Sequence, residues 1–497
     1  MIFVFLISGL FIGWSLGAND TGNIFGAAVA TRMIRFKQAA LIAAIFISLG
    51  AVIEGSGPSA TLGRLGSVDA LGGAFTVALA AAMAILVIVR LGIPVSISQT
   101  IVGALIGWNF FAGRLTDVNW LLTIASSWVT AFVVSAGVAA LLFYVFRVWI
   151  NNSKRHLLEQ DMLVRYSLVF FGAIGAYFLG ANNIANAVGV FVPVTPFKDL
   201  PIGSLFVVSG VQQLYIVGAG SLVLGIYTFS RRVMGTVGKD LFQLSPVTAL
   251  VALLAETIVL FLFTSRALQR VLLLLGVPPI PLVPISSTQV MVGAVIGIGL
   301  AKGGKNIRYN VLGKVSLAWV AAPAMAFLFA FVALFVTQNV FELQVNRPLY
   351  YTVDKAAVLE IERRGIDSKN LAFVNLRSFD TERSLYKELV LDDAYDPKTA
   401  KEIVHICEKH PLLVNLELLK KRGLDRRLNE QQLAALERLD ERKFQRKWKF
   451  HQALAEDESW QLREPPQSQA DKDFNAGIQG DLDILYSVFY NPPEDKR

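Results

Sequence analysis

Hydrophobic residues fill the first two thirds of the chain in long blocks separated by short charged loops. The blocks fall at about 1–31, 38–57, 71–91, 93–113, 119–147, 166–192, 201–229, 243–264, 271–301 (interrupted) and 315–337. Each approaches or exceeds the roughly 20 residues a helix needs to cross a bilayer core. The first block starts at Met1 with no basic stretch or A-x-A site, so it reads as a spanning segment rather than a cleaved signal. From Tyr351 onward the pattern changes. KTAKEIVHICEKH and NEQQLAALERLDERKFQRKWKF alternate as amphipathic helices do, and REPPQSQADKD reads as a flexible loop. The pattern predicts an all-α polytopic membrane protein with a mainly helical soluble C-terminal domain. Its expected divisions are 1–148, a charged linker 149–165, 166–341 and 342–497.

Composition sharpens this picture. Of 497 residues, 54% are hydrophobic and 17% charged, against roughly a quarter charged in an ordinary soluble domain. A single soluble globule, a disordered chain and a collagen-like fibre are all excluded. Residues 1–341 hold 20 of the 46 Lys and Arg and 9 of the 38 Asp and Glu, a net +11; the remainder carries −3. That surplus sits in short loops, which marks a membrane protein and gives no support to nucleic-acid binding. Basic clusters lie at Arg32/Arg35/Lys37, Arg147/Lys154/Arg155, Arg231/Arg232/Lys239 and Lys302/Lys305/Arg308/Lys314. Placing all four in the cytoplasm puts the N-terminus and the C-terminal domain outside, with Arg64, Arg114, Arg266 and Arg270 as outside exceptions. The single cysteine, Cys407, excludes a disulfide framework. No organellar targeting segment is evident, which points to a plasma (inner) membrane.

Two motifs recur in the same order. GANDTGNIFGAAVA at 17–30 returns as GANNIANAVGVFVP at 180–193, and IPVSISQTIVGALIGW at 93–108 returns as VPISSTQVMVGAVIGIG at 283–299. With an odd number of crossings between copies, this is an inverted-topology repeat, an architecture of secondary transporters.

Polar residues and glycines inside an apolar run are costly unless a helix breaks around a site or faces a protein-lined cavity. Asn19, Asn23, Asn182 and Asn186 offer amide oxygens to a hard cation and Asp20 a formal charge, although the asparagines could instead bond across helices. The second motif reads as an anion cradle. Pro94 and Pro284 suit the first turn of a helix. Ser96, Ser98, Gln99 and Thr100, and Ser286, Ser287, Thr288 and Gln289, follow them. Helix-start amides and hydroxyls can hold an oxyanion without a cationic side chain; the same residues could serve as ordinary helix caps. A divalent oxyanion needs compensation, and neither motif holds Lys or Arg. Cations on Asp20 and the Asn and Gln oxygens, Gln99 and Gln289 included, could supply it. Glu54 and Glu256 also lie in apolar runs, as candidates for coupling or gating.

At these residues the chain resembles the inorganic phosphate transporter (PiT) family, whose halves each carry a GANDVANA-like and a PVSTT-like motif. The likeness covers roughly residues 1–340. It implies an inverted repeat with re-entrant half-helices that carries phosphate, coupled to sodium or protons, usually as a homodimer in the lipid bilayer, with no cofactor. Carried over, Asn19, Asp20, Asn23, Asn182, Asn183 and Asn186 are cation-site candidates. Ser96, Ser98, Gln99, Ser286, Ser287, Thr288 and Gln289 become ligands of phosphate and a nearby cation. Three positions depart from the pattern: Asn183 stands where the family has an acid, Ile97 where it has a hydroxyl, and Gly22 where it has alanine.

No Walker A, G-x-G-x-x-G or H-E-x-x-H sequence is present. His405 to His410 lacks a second metal-ligand cluster. Asp392, Asp393 and Asp396 precede Pro397 and read as a turn and helix start, and Arg442 to Lys449 as an exposed helix face. The expected function is phosphate symport by a non-enzyme. The rivals are a sulfate or other tetrahedral-oxyanion permease, an anion-sensing receptor signalling through the C-terminal domain, and a membrane-tethered enzyme.

Overall fold

The structure is a computed structural model describing residues 2–91, 95–195, 197–202, 206–236, 244–304, 309–371, 374, 377–391, 394–421, 423–465 and 469–491. Pro94, Lys239, Lys305, Arg308, Asp392 and Asp393 lie outside these. The chain forms two compact units. The first comprises Met1–Phe111, Thr116–Phe197 and Gly210–Asn346, and the second Ala112–Leu115, Lys198–Ser209 and Arg347–Arg497.

Helices make up the first unit: α1 (Ile2–Ala30), α2 (Phe36–Glu54), α3 (Ser56–Leu65), α4 (Leu71–Arg90), α5 (Ile97–Phe111), α6 (Val118–Asn152), α7 (Leu157–Val188), α8 (Gly210–Thr228), α9 (Ser230–Thr236), α10 (Pro246–Thr264), α11 (Arg266–Leu274), α12 (Ser287–Ala301) and α13 (Tyr309–Asn339). Eight helices among the described residues are long and apolar enough to cross a membrane. Two of the predicted spans are not. The 93–113 run contracts to α5 and the 271–301 run to α12, each of 15 residues. At 1.5 Å per residue each is about 22 Å long, short of a roughly 30 Å hydrocarbon core. The 201–229 run is also split, because Leu200–Ile202 pairs antiparallel with Phe206–Val208 and only α8 continues as helix. Residues 149–165 fall mostly in the end of α6 and the start of α7.

The sorting of side chains is that of a protein in lipid. Along α6, Leu122, Val129, Val133 and Leu141 are exposed while Ser127, Ala131, Ser135 and Ala139 are buried. Large apolar groups face outward and small ones let helices approach. The closest approaches come in matched pairs. A methyl group at Gly17 of α1 would sit 1.9 Å from the Leu222 carbonyl oxygen of α8, and one at Gly180 of α7 2.0 Å from the Ile47 oxygen of α2. Gly103 of α5 abuts the Pro323 carbonyl of α13, as Gly297 of α12 abuts that of Ala136 on α6. Exchanging α1 with α7, α2 with α8, α5 with α12 and α6 with α13 leaves this scheme of neighbours unchanged.

The second unit adds α14 (Lys355–Arg363), α15 (Glu382–Val390), α16 (Pro397–Cys407), α17 (Leu416–Lys421), α18 (Glu430–Glu437), α19 (Lys447–Leu454) and α20 (Gln469–Val488). Tyr350–Thr352 pairs antiparallel with both Ser378–Phe379 and Glu408–Lys409. One apolar cluster gathers Tyr351, Ile361, Leu385, Val404 and Cys407; another gathers Leu436, Phe450, Trp460, Leu482 and Phe489. Asp396 caps α16 through the Lys398 and Thr399 amides. Two expectations fail here. Part of REPPQSQADKD is helical, since α20 begins at Gln469 with Asp471 in its first turn, where a negative charge favours the helix dipole. Within the supposed exposed face, Arg446 is 1% exposed and pairs with Asp354 at 2.9 Å.

The unit also takes in the short loop after α5. Gly113, at φ +66°, presents its carbonyl to the Arg383 amide at 2.9 Å, and the Leu115 amide donates to Glu382 at 3.0 Å. Glu408 is largely shielded from solvent, and that desolvation alone would raise its pKa. The Lys447 ammonium at 2.8 Å overrides that, with His410 and Arg114 adding to it, and brings the group to about 2. Burial, then the charge of Lys447, push His410 down to about 4.

Candidate functional site

All four motif copies meet. The tip of α5 reaches the chain just before α12: Ser98 donates from Oγ to the Ile285 carbonyl at 3.0 Å. Asn182, on α7, holds both backbone groups of the same residue. Its amide donates to the Ile285 oxygen at 2.8 Å, and its own oxygen accepts from the Ile285 N–H at 2.8 Å. Asn186, one turn further on, donates to Ser98 Oγ at 2.8 Å. On the other side Asp20 Oδ2 accepts from Asn183 and from Ser287 Oγ, each at 2.9 Å. Asn23 donates to Ser287 Oγ at 3.3 Å. Each Gly-Ala-Asn motif thus serves the hydroxyl cluster of the other half.

The helix starts are capped alike. Ser96 Oγ accepts from the Gln99 amide at 3.4 Å, and Ser286 Oγ from the Gln289 amide at 3.3 Å. Pro284 therefore lies ahead of the N-cap rather than in the first turn, because Ser286 takes the capping position. A helix start leaves its first amides without intrahelical acceptors, here on Ile97 and Ser98 and on Ser287 and Thr288, so two sets of N–H groups are brought to the same place. Thr288 is half-buried. Thr100 stands apart, its hydroxyl donating back to the Ser96 carbonyl at 2.7 Å.

Three buried amide oxygens, Gln99 Oε1, Asn186 Oδ1 and Gln289 Oε1, lack a hydrogen-bond donor among the described residues. Such oxygens are expensive to bury unless something positive meets them. Hard cations take carbonyl and carboxylate oxygens, so these three and Asp20 form a donor set suited to one. Asn19 is not in the network; its amide donates to the Ser15 carbonyl within α1 at 2.9 Å. Glu54, at the end of α2, accepts from the Arg266 amide at 3.2 Å, and the Arg266 guanidinium donates to Ser56. Glu256 is fully buried with neither carboxylate oxygen hydrogen-bonded among the described residues.

Motif reading missed three participants. The Ile285 peptide acts through its backbone and leaves no trace in side-chain chemistry. Ser135 on α6 donates to the Val290 carbonyl of α12, and the buried Thr257 hydroxyl has no partner among the described residues. Both are polar residues inside apolar runs, a signal that was available.

Eight spanning helices around two apposed half-helix tips, with buried oxygens and a carboxylate between them, define a multi-pass membrane transporter. A family model described as "Phosphate transporter family" matches residues 16–330 and 280–361. The chain belongs to this family, and it is therefore a transporter rather than an enzyme. It is 28% identical over 327 residues to the "Putative phosphate permease" of Methanocaldococcus jannaschii, with 66% of this chain and 95% of that protein covered. A protein of the same description in Haemophilus influenzae is 25% identical over 428 residues, with 69% and 97% covered. Among solved structures, "The sodium-dependent phosphate transporter" shares the fold at TM-score 0.54 and 21% identity, covering 68% of this chain and 98% of its own.

Proposed function

We propose that the chain is a sodium-coupled symporter of inorganic phosphate working by alternating access in the plasma membrane. The observation that carries this is the crossed network: Asn186 on Ser98 of the first half, Asn23 and Asp20 on Ser287 of the second. Phosphate lies against the starts of α5 and α12, held by helix-start amides and by the hydroxyls of Ser96, Ser98, Ser286, Ser287 and Thr288. Neither motif holds a cationic side chain, so the anion enters with cations on Asp20 and the free oxygens of Gln99, Asn186 and Gln289. The description of the structural relative as sodium-dependent supports sodium as that cation.

The inverted repeat belongs to the same proposal, and the exchange of neighbours between α1 and α7, α2 and α8, α5 and α12, and α6 and α13 supports it. Tight glycine–carbonyl contacts make each helix pair a stiff body, and two stiff bodies meeting at a central site can rock against one another.

Purified protein in proteoliposomes tests the reading through radiolabelled phosphate uptake, with sodium and pH gradients imposed separately and sulfate as competitor. Accumulation on the sodium gradient alone, little affected by sulfate, is expected. Binding without accumulation would make the protein a sensor; accumulation on the pH gradient alone would replace sodium by protons.

A further inference from the structure

The first half contributes a carboxylate, Asp20, where the second half has Asn183, whose amide donates to that same carboxylate. A second buried acid, Glu256, lies on a different helix, α10. Ala252 and Ala255 of α10 pack with Met291 and Ala294 of α12. Thr257 and Leu253, on the adjoining face of α10, lie against Gly175 of α7, beside Ile24 of α1. Glu256 falls between these two faces by helical spacing, and Asp20 stands one turn from Ile24 on α1, a helix that packs against α10. Its two oxygens are fully buried and without donors among the described residues, and the adjoining Thr257 hydroxyl is in the same state.

Two ionised carboxylates facing each other in a dry interior repel strongly unless positive charge lies between them. We infer that Glu256 and Asp20 form a two-carboxylate site for a monovalent cation, sodium, in which Glu256 supplies from α10 the negative charge that position 183 does not carry. The inference rests on the sodium-coupled reading and adds a cation ligand outside both repeated motifs.

Equilibrium binding of radiolabelled sodium to the purified full-length protein tests the inference without reference to uptake. Glu256→Gln should weaken sodium binding by about tenfold or more, the loss expected for a charged ligand, while Glu256→Asp retains much of it. In the double variant Asn183→Asp/Glu256→Gln, a carboxylate returned to 183 should restore binding, which also covers failure of the single variant to fold. Wild-type sodium affinity in Glu256→Gln would overturn the inference even if uptake proves sodium-driven. So would a double variant that folds but does not bind, or displacement of sodium by equimolar magnesium, which would make the site divalent. Uptake on a proton gradient alone defeats the sodium-coupled reading, whatever sodium binding shows.

Discussion

The two Gly-Ala-Asn motifs begin with the same three residues and do different work. In the second copy Asn182 grips the Ile285 peptide by both its N–H and its carbonyl. In the first, the matching Asn19 turns back to Ser15 one turn below. Charge is divided the other way, since Asp20 collects two bonds on one oxygen while its match, Asn183, is one of the donors. In the motif match Ser287 corresponds to Ile97 and Asp20 to Asn183. The bond from Ser287 to Asp20 would have its mirror image between 97 and 183, and both ends of that mirror bond are gone. The missing hydroxyl and the missing acid, separate departures in the sequence, are one change in three dimensions. The second copy organises backbone and the first supplies charge.

This contrast is open to direct attack. Asp20→Asn should lower sodium-driven phosphate uptake by about 100-fold or more, as expected for a buried charge with specific partners. Asn183→Ala should lower it far less, and equal losses would erase the division of labour. The opposite bias should hold one residue earlier. Asn182→Ala strips two bonds from a buried peptide, each costing about 1–3 kcal/mol when left unmade. Asn19→Ala loses only a bond within its own helix, so thermal unfolding in detergent should show a clearly lower midpoint for Asn182→Ala alone. Where the copies are alike the effects should match: Gly17→Ala and Gly180→Ala each push a methyl into a carbonyl oxygen, an overpacking that costs about 1–3 kcal/mol or more. The smallest effect lies outside both copies. Folded His410 has its pKa lowered to about 4 from 6.5, so the unfolded chain binds its proton first and stability falls as pH drops below about 6.5. Glu408, lowered to about 2 from 4.5, adds a loss in the same direction below about pH 4.5. Protease resistance of residues 347–491 in the intact protein should therefore decline on acidification, with His410→Gln removing the upper part of the decline.

Much of the architecture is legible in the sequence because a bilayer imposes a crude rule. Apolar runs of sufficient length become helices, and the four repeated segments announce themselves by misplaced polar residues. The rule misleads where length is short of a crossing. The 93–113 and 271–301 runs look like spans, but hydroxyl caps at Ser96 and Ser286 start their helices late. Periodicity also conceals what a polar residue bonds. Glu54 and Glu256 look equivalent as intramembrane acids, yet one caps the amide of Arg266 and the other lies unbonded among the described residues. Nothing in the spacing of Ala112–Leu115 reveals that four residues between two apolar helices would fold with a segment more than two hundred residues away.

That loop bears on how the C-terminal region is to be studied. Truncation at residue 346 would remove the amide that reaches the Gly113 carbonyl and the carboxylate that holds the Leu115 N–H. The turn joining α5 to α6 would lose its mould. A shortened protein that transports poorly would therefore be ambiguous, confounding a lost regulator with a slackened turn after α5. Glu382→Gln, which keeps an oxygen for the Leu115 N–H, and Glu382→Ala, which does not, separate the two within an intact chain.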